Sequence, residues 1–164
     1  MNKTLMAPIA AGLLVVICGS AVAATKTDTF DVTANVVGNC FVTATDLDFG
    51  DYDGTAALSD TSTITVRCSA NHGYTLKLDA GDAGGFSPRK MDNALEYNLY
   101  TSLAKSTVWG DGSATTGTVS GVGNGLGMPN ATQHTVYGEL FNNAANQAVA
   151  VGAYSDTITV TVEY

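Results

Sequence analysis

Apolar and polar residues alternate with a period of two in short runs along most of this chain. In "TFDVTANVVGNC" (Thr29–Cys40), Phe30, Val32, Ala34 and Val36 fall on one side and Thr29, Asp31, Thr33 and Asn35 on the other. "TITVRC" (Thr63–Cys68) aligns Ile64, Val66 and Cys68, and "YTLKLD" (Tyr74–Asp79) aligns Tyr74, Leu76 and Leu78. "LEYNLY" (Leu95–Tyr100) and "HTVYGEL" (His134–Leu140) are of the same kind. In "DTITVTVEY" (Asp156–Tyr164), Ile158, Val160, Val162 and Tyr164 share a face. A period of two places alternate side chains on opposite faces of a strand, so each run predicts a half-buried strand. Gly, Asn, Asp and Ser punctuate the runs. Asp79–Lys90 and Gly110–Gln133 predict loops, the second holding one short strand near Thr118–Ser120. Beyond residue 23 there is no helical periodicity of useful length. Many short strands with no internal repeat or linker predict one all-β domain, a sandwich of immunoglobulin-like type.

The first residues follow a different pattern. Lys3, an apolar run from Leu5 to Ile17 and the small-x-small ending Ala21-Val22-Ala23 form the layout of a secretory signal peptide. The run is broken by Pro8 and is short of the ~20 residues a membrane span needs. Cys18 is preceded by Ile17 rather than the small residue that an acylated leader would carry. Residues 1–23 are therefore expected to be removed, leaving about 140 residues, enough for one domain with a core.

Export changes the reading of the cysteines. Of the three, Cys40 and Cys68 remain after cleavage, and an even pair in an oxidising compartment reads as a disulfide. A catalytic or metal-binding pair is the alternative, but Cys-x-x-Cys spacing is missing and no histidine lies near Cys40. A bridge here would contribute roughly 3–4 kcal/mol by restricting the unfolded chain.

Charge and the inventory of reactive groups exclude more than they identify. Fifteen acidic residues stand against seven basic ones, one of which is Lys3, and the basic residues form no cluster. Nucleic acid and anionic membranes both require concentrated Lys and Arg. With only His72 and His134, a His-rich metal centre cannot be built. There is no nucleophile elbow and no phosphate loop. "DFGDYDG" (Asp48–Gly54) resembles a calcium loop, but Phe49 would hold its first ligand position, so a turn between strands is expected. Trp109, before the Asp-Gly of "VWGDG", is expected to pack in the core; a sugar-binding platform is the alternative. Neither an enzyme nor a cofactor is indicated.

Together, "VTANVVGNCFVTATDLDFGDYDG", "ITVRCSANHGYTLKLDAG", "LEYNLYTS", "TVWGDG", "TVYGEL" and "GAYSDTITVTVEY" resemble, in collinear order and with both cysteines, the spore coat protein U family, whose members include subunits of archaic chaperone–usher pili. Two stretches depart from the family pattern. Glu139 and Leu140 follow "VYG" where a basic residue and a proline-containing turn are expected. "FNNAANQAVAVGAY" is longer and richer in alanine.

The resemblance implies an incomplete immunoglobulin-like sandwich lacking its final strand and completed by donor-strand complementation. An exposed groove with unpaired edges is an aggregation hazard. In the family a periplasmic chaperone covers it, and at the outer-membrane usher the N-terminal segment of the next subunit replaces the chaperone by strand addition. The implied organisation is a leader at 1–23, a donor segment at 24–37 and a pilin domain at 38–164. Phe30, Val32, Ala34 and Val36 are the expected donor plugs. Ile158, Val160, Val162 and Tyr164 are the expected chaperone-docking strand, with the Tyr164 carboxylate held by basic chaperone residues. The sequence ends directly after that strand. About sixteen residues lie between the leader and Cys40, and Thr29–Val37 stays open to a second reading as the first strand of its own sandwich. The expected protein is an exported fibre subunit on the cell surface, a homopolymer serving adhesion and biofilm formation, with no nucleic-acid partner and no membrane span. The alternative is a self-contained secreted sandwich that binds a carbohydrate or protein.

Overall fold

The computed structural model describes residues 22–164. The leader read at 1–23 therefore lies, except for its last two residues, outside the described residues. The chain divides into two compact units, one ending at Asn35 and the other Val36–Tyr164. In the described part of the first unit no strand or helix forms, and Phe30 and Val32 are 87% and 84% exposed.

Eight strands build the second unit: β1 (Cys40–Ala44), β2 (Leu58–Cys68), β3 (Gly73–Leu78), β4 (Arg89–Met91), β5 (Leu95–Tyr100), β6 (Val119–Val122), β7 (Thr132–Leu140) and β8 (Val160–Glu163). They form a five-stranded sheet in the order β1-β2-β7-β5-β4 and a three-stranded sheet in the order β6-β3-β8. Every ladder is antiparallel. The alternation read from sequence becomes the burial pattern: Ile64, Val66 and Cys68 of β2 and Tyr74, Leu76 and Leu78 of β3 are buried, while their neighbours are not. Val136 and Leu140 of β7 and Leu95, Tyr97 and Leu99 of β5 complete the core between the sheets. Trp109 is fully buried, and its Nε1 donates to the Leu76 carbonyl at 3.2 Å, so the polar end of the ring is satisfied.

Several expectations shift in detail. The loop expected at Asp79–Lys90 runs into β4, which turns into β5 through Asp92 and Asn93, both at positive φ, and Ala94 N–H donates to the Met91 carbonyl at 2.9 Å. Two consecutive left-handed residues match the right-handed twist of a hairpin. Arg89 is buried inside this loop. Its guanidinium donates to the carbonyls of Asp79 and Trp109 and to Asn98 Oδ1, over the Phe86 ring, and burial lowers its pKa. The departure at "FNNAANQAVAVGAY" holds a single helical turn, α1 (Ala144–Gln147), capped by the Asn143 side chain. A run so short carries no helical period to read.

Cys40 and Cys68 are joined as a disulfide across the first pair of the β1–β2 ladder. The bond ties the first residue of an edge strand to the last residue of the strand beside it.

Candidate functional site, an unfilled groove between two edges

The five-stranded sheet loses its edge strand at Ala44. Thr45 N–H still donates to the Thr63 carbonyl, and then residues 46–57 run on without a ladder. Leu47, Phe49 and Tyr52 nevertheless keep turning towards the core, while Asp46, Asp48, Asp51 and Asp53 face out. The stretch expected as a turn between strands does turn, at Gly50 (φ +70°) and Gly54 (φ +75°), and it also forms a wall with an apolar inner side. It lies close to β7 because Gly138 has no side chain: a Cβ there would sit 2.7 Å from Leu47 Cδ1 and 2.9 Å from Phe49 Cζ. A glycine inside a strand marks such a close approach. Local bonds hold the wall, with Asp48 accepting from Gly50 N–H and Asp53 accepting from Thr55. The bonds from Thr55 keep the Asp53 carboxyl below the usual carboxylate range.

The opposite wall is residues 149–159. The strand expected from Asp156 begins only at Val160, although Tyr154, Ile158 and Val160 face the core as the alternation requires. Ser155 and Thr159 direct their backbone groups away from the first wall. Ser155 exchanges bonds with Asp92, through its side chain and N–H, and Thr159 does the same with Asp79. Alternate residues of an extended chain point their backbone groups to opposite sides. Tyr154, Asp156 and Ile158 therefore aim theirs at the first wall, and among the described residues these groups make no backbone hydrogen bond. The ladder reaches no further back than Val160 because its partner β3 ends at Leu78, although the sequence before Val160 favours a strand.

Between the walls lies a groove of ≈ 1140 Å³, floored by Ile64, Leu78, Leu95, Tyr97, Leu99, Val136 and Leu140. Asp156 anchors one side of it. Its carboxylate accepts from Tyr97 O–H at 2.5 Å and from Asp82 N–H at 2.8 Å. Burial, then this bond to a carboxylate, pushes the Tyr97 phenol well above its ordinary pKa. Gly81, at φ +70°, makes room: a Cβ there would collide with the Asp156 carboxylate.

The walls converge at both ends. At one, the Tyr164 hydroxyl reaches Asn39 Oδ1 (3.4 Å) and its ring stands edge-on to His72. At the other, side chains of the α1 region bond to Tyr52, Gly54 and Thr55 of the first wall.

Among the residues singled out in the sequence, Ile158 and Val160 line the groove, while Val162 pairs with Leu76 in the β3–β8 ladder and Tyr164 is exposed at the end. Val36 is 91% exposed, and the first ladder of the described chain starts at Cys40. Trp109 is wholly inside and offers no ligand platform. Among the described residues, no group of three or more His, Cys, Asp or Glu could hold a metal, and no helix is long and apolar enough to cross a membrane. The sequence reading missed the inner side of the first wall and the α1 bridge. The alternation Leu47-x-Phe49 was the available signal for the wall.

Comparison with known proteins places this geometry. A solved chain from the CsuC–CsuE chaperone–tip adhesion subunit pre-assembly complex of the archaic chaperone–usher Csu pili of Acinetobacter baumannii is similar, with a TM-score of 0.56 and 25% identity. The match covers 79% of the present chain and 40% of that one. Protein U of Myxococcus xanthus is 32% identical over 187 aligned residues, covering 99% of this chain and 98% of that protein. The model of the Spore Coat Protein U domain matches residues 26–161, and the chain belongs to that family.

Proposed function

We propose that this protein is a structural, non-enzymatic subunit of an extracellular chaperone–usher pilus that polymerises by donor-strand exchange. The observation that carries the reading is the groove: an apolar floor between two walls, one of which presents unpaired backbone groups. Residues 24–37 act as the donor segment and 38–164 as the pilin domain that receives one. Phe30, Val32, Ala34 and Val36 enter the groove of a neighbouring copy. Burying Phe30, Val32 and Val36 supplies about 5–9 kcal/mol before entropic costs, and backbone pairing with the free edge adds to it. Before assembly, a periplasmic chaperone covers the groove and docks along Ile158, Val160, Val162 and Tyr164. An outer-membrane usher exchanges the chaperone for the next subunit. Residues 1–23 direct the chain out of the cytoplasm, and the finished homopolymer serves adhesion and biofilm formation at the cell surface.

Co-expression with the cognate chaperone and usher tests the reading. Phe30→Asp is expected to abolish fibres while leaving the chaperone-bound subunit at its normal yield. Fibres of normal length from the variant would sink the donor assignment. Loss of the chaperone complex as well would return Thr29–Val37 to the role of a first strand.

A further inference from the structure

The groove is a slot with two ends, and one end is closed by amide side chains. The Tyr52 hydroxyl donates to Asn142 Oδ1 at 3.0 Å, and Asn142 Nδ2 donates to the Thr55 carbonyl at 3.0 Å. Gln147 Nε2 donates to the same Asn142 oxygen at 2.9 Å and to the Gly54 carbonyl at 3.4 Å. Side chains of the α1 region thus engage both carbonyls at this end of the first wall, so neither is free to accept from a strand that reaches past Asp53. Gly54, at φ +75°, also bends the wall at this point.

Register in such a slot moves in fixed steps. A strand shifted by one residue would turn its apolar side chains out of the groove, so the smallest slip that keeps them buried is two residues, about 6.6 Å. The floor alone therefore does not distinguish neighbouring registers, and something at an end must.

We propose that Tyr52, Asn142 and Gln147 form a register stop that fixes where the incoming strand halts and rejects strands that overrun it. The proposal rests on the groove being filled by Phe30–Val36 of a second copy. These three are positioning residues: they act on where the strand sits, through the wall they brace.

The test refolds the full chain carrying Phe30→Asp, so that its own segment does not compete, with a synthetic peptide of residues 24–39 bearing a benzophenone side chain in place of Phe30. Photo-crosslinks are mapped by mass spectrometry. With the stop intact, the crosslinks are expected to fall on one narrow window of the groove. With Asn142→Ala and Gln147→Ala together, they are expected to split between that window and one displaced by two residues. Tyr52→Phe, which removes one hydroxyl, gives the same readout in a chain with minimal disturbance if the double variant does not fold, and there too a second, displaced window is expected. An identical single window in the altered and unaltered chains overturns the stop and leaves the pilus reading standing. Failure of the peptide to bind the unaltered groove overturns the pilus reading and the stop with it.

Discussion

His134 and Tyr74 meet between the two sheets, with the hydroxyl 2.8 Å from Nε2 and the rings edge to face. Burial disfavours the imidazolium, so the folded-state pKa lies below the ordinary value of 6.5. The unfolded chain thus takes up the proton first, and folding stability from this site is complete above about pH 6.5 and falls as pH drops through the folded pKa. Urea unfolding from pH 8 down to 5 is expected to show that decline, and His134→Gln should flatten it. At this scale the sequence was informative where chemistry was simple. Trp109, expected in the core, is wholly buried. Arg89 and Asp156 were not legible, because each is defined by partners far away in sequence: Asn98 and the carbonyls of Asp79 and Trp109 for one, Tyr97 and Asp82 for the other.

Among elements, the alternating runs were read correctly as β2, β3, β5 and β7: β2, β3 and β7 bury one face against a sheet of the same molecule, and β5 buries both from Tyr97 on. The reading diverged where a ladder partner ends. The run from Asp156 has strand sequence but forms a ladder only from Val160, and the wall at 45–53 has an apolar inner side with no ladder. Periodicity reports which side of a segment is apolar, and hydrogen bonding needs a neighbour as well. The first wall depends on β7 for its seat. Gly138→Val would improve the strand propensity of β7 while driving a side chain into Leu47 and Phe49. We expect this substitution to destabilise the domain by about 1–3 kcal/mol, typical of overpacking, and to weaken binding of the 24–39 peptide in parallel. Chemical denaturation and peptide titration check both. An unchanged midpoint would mean that the wall is not seated on β7.

At the scale of the whole molecule, two sheets and one disulfide were legible, and the order in which strands join was not, since that depends on long connections with no local signal. The acidic balance, −8 for the full sequence, gives copies of this chain surfaces of one predominant sign, which opposes their non-specific association. The position of the disulfide has a mechanical consequence. In a fibre joined by lent strands, tension enters each subunit just before Cys40, the first residue of the edge strand β1. Pulled from that end, β1 would open one pair at a time. The bond to Cys68 passes the load to β2, which pairs with β7 from Leu58 to Val66 and is loaded along its length. Stretching single fibres with and without a reductant should show a lower unfolding force after reduction, and equal forces would exclude this load path. One covalent link at the point of entry converts a zipper into a lap joint.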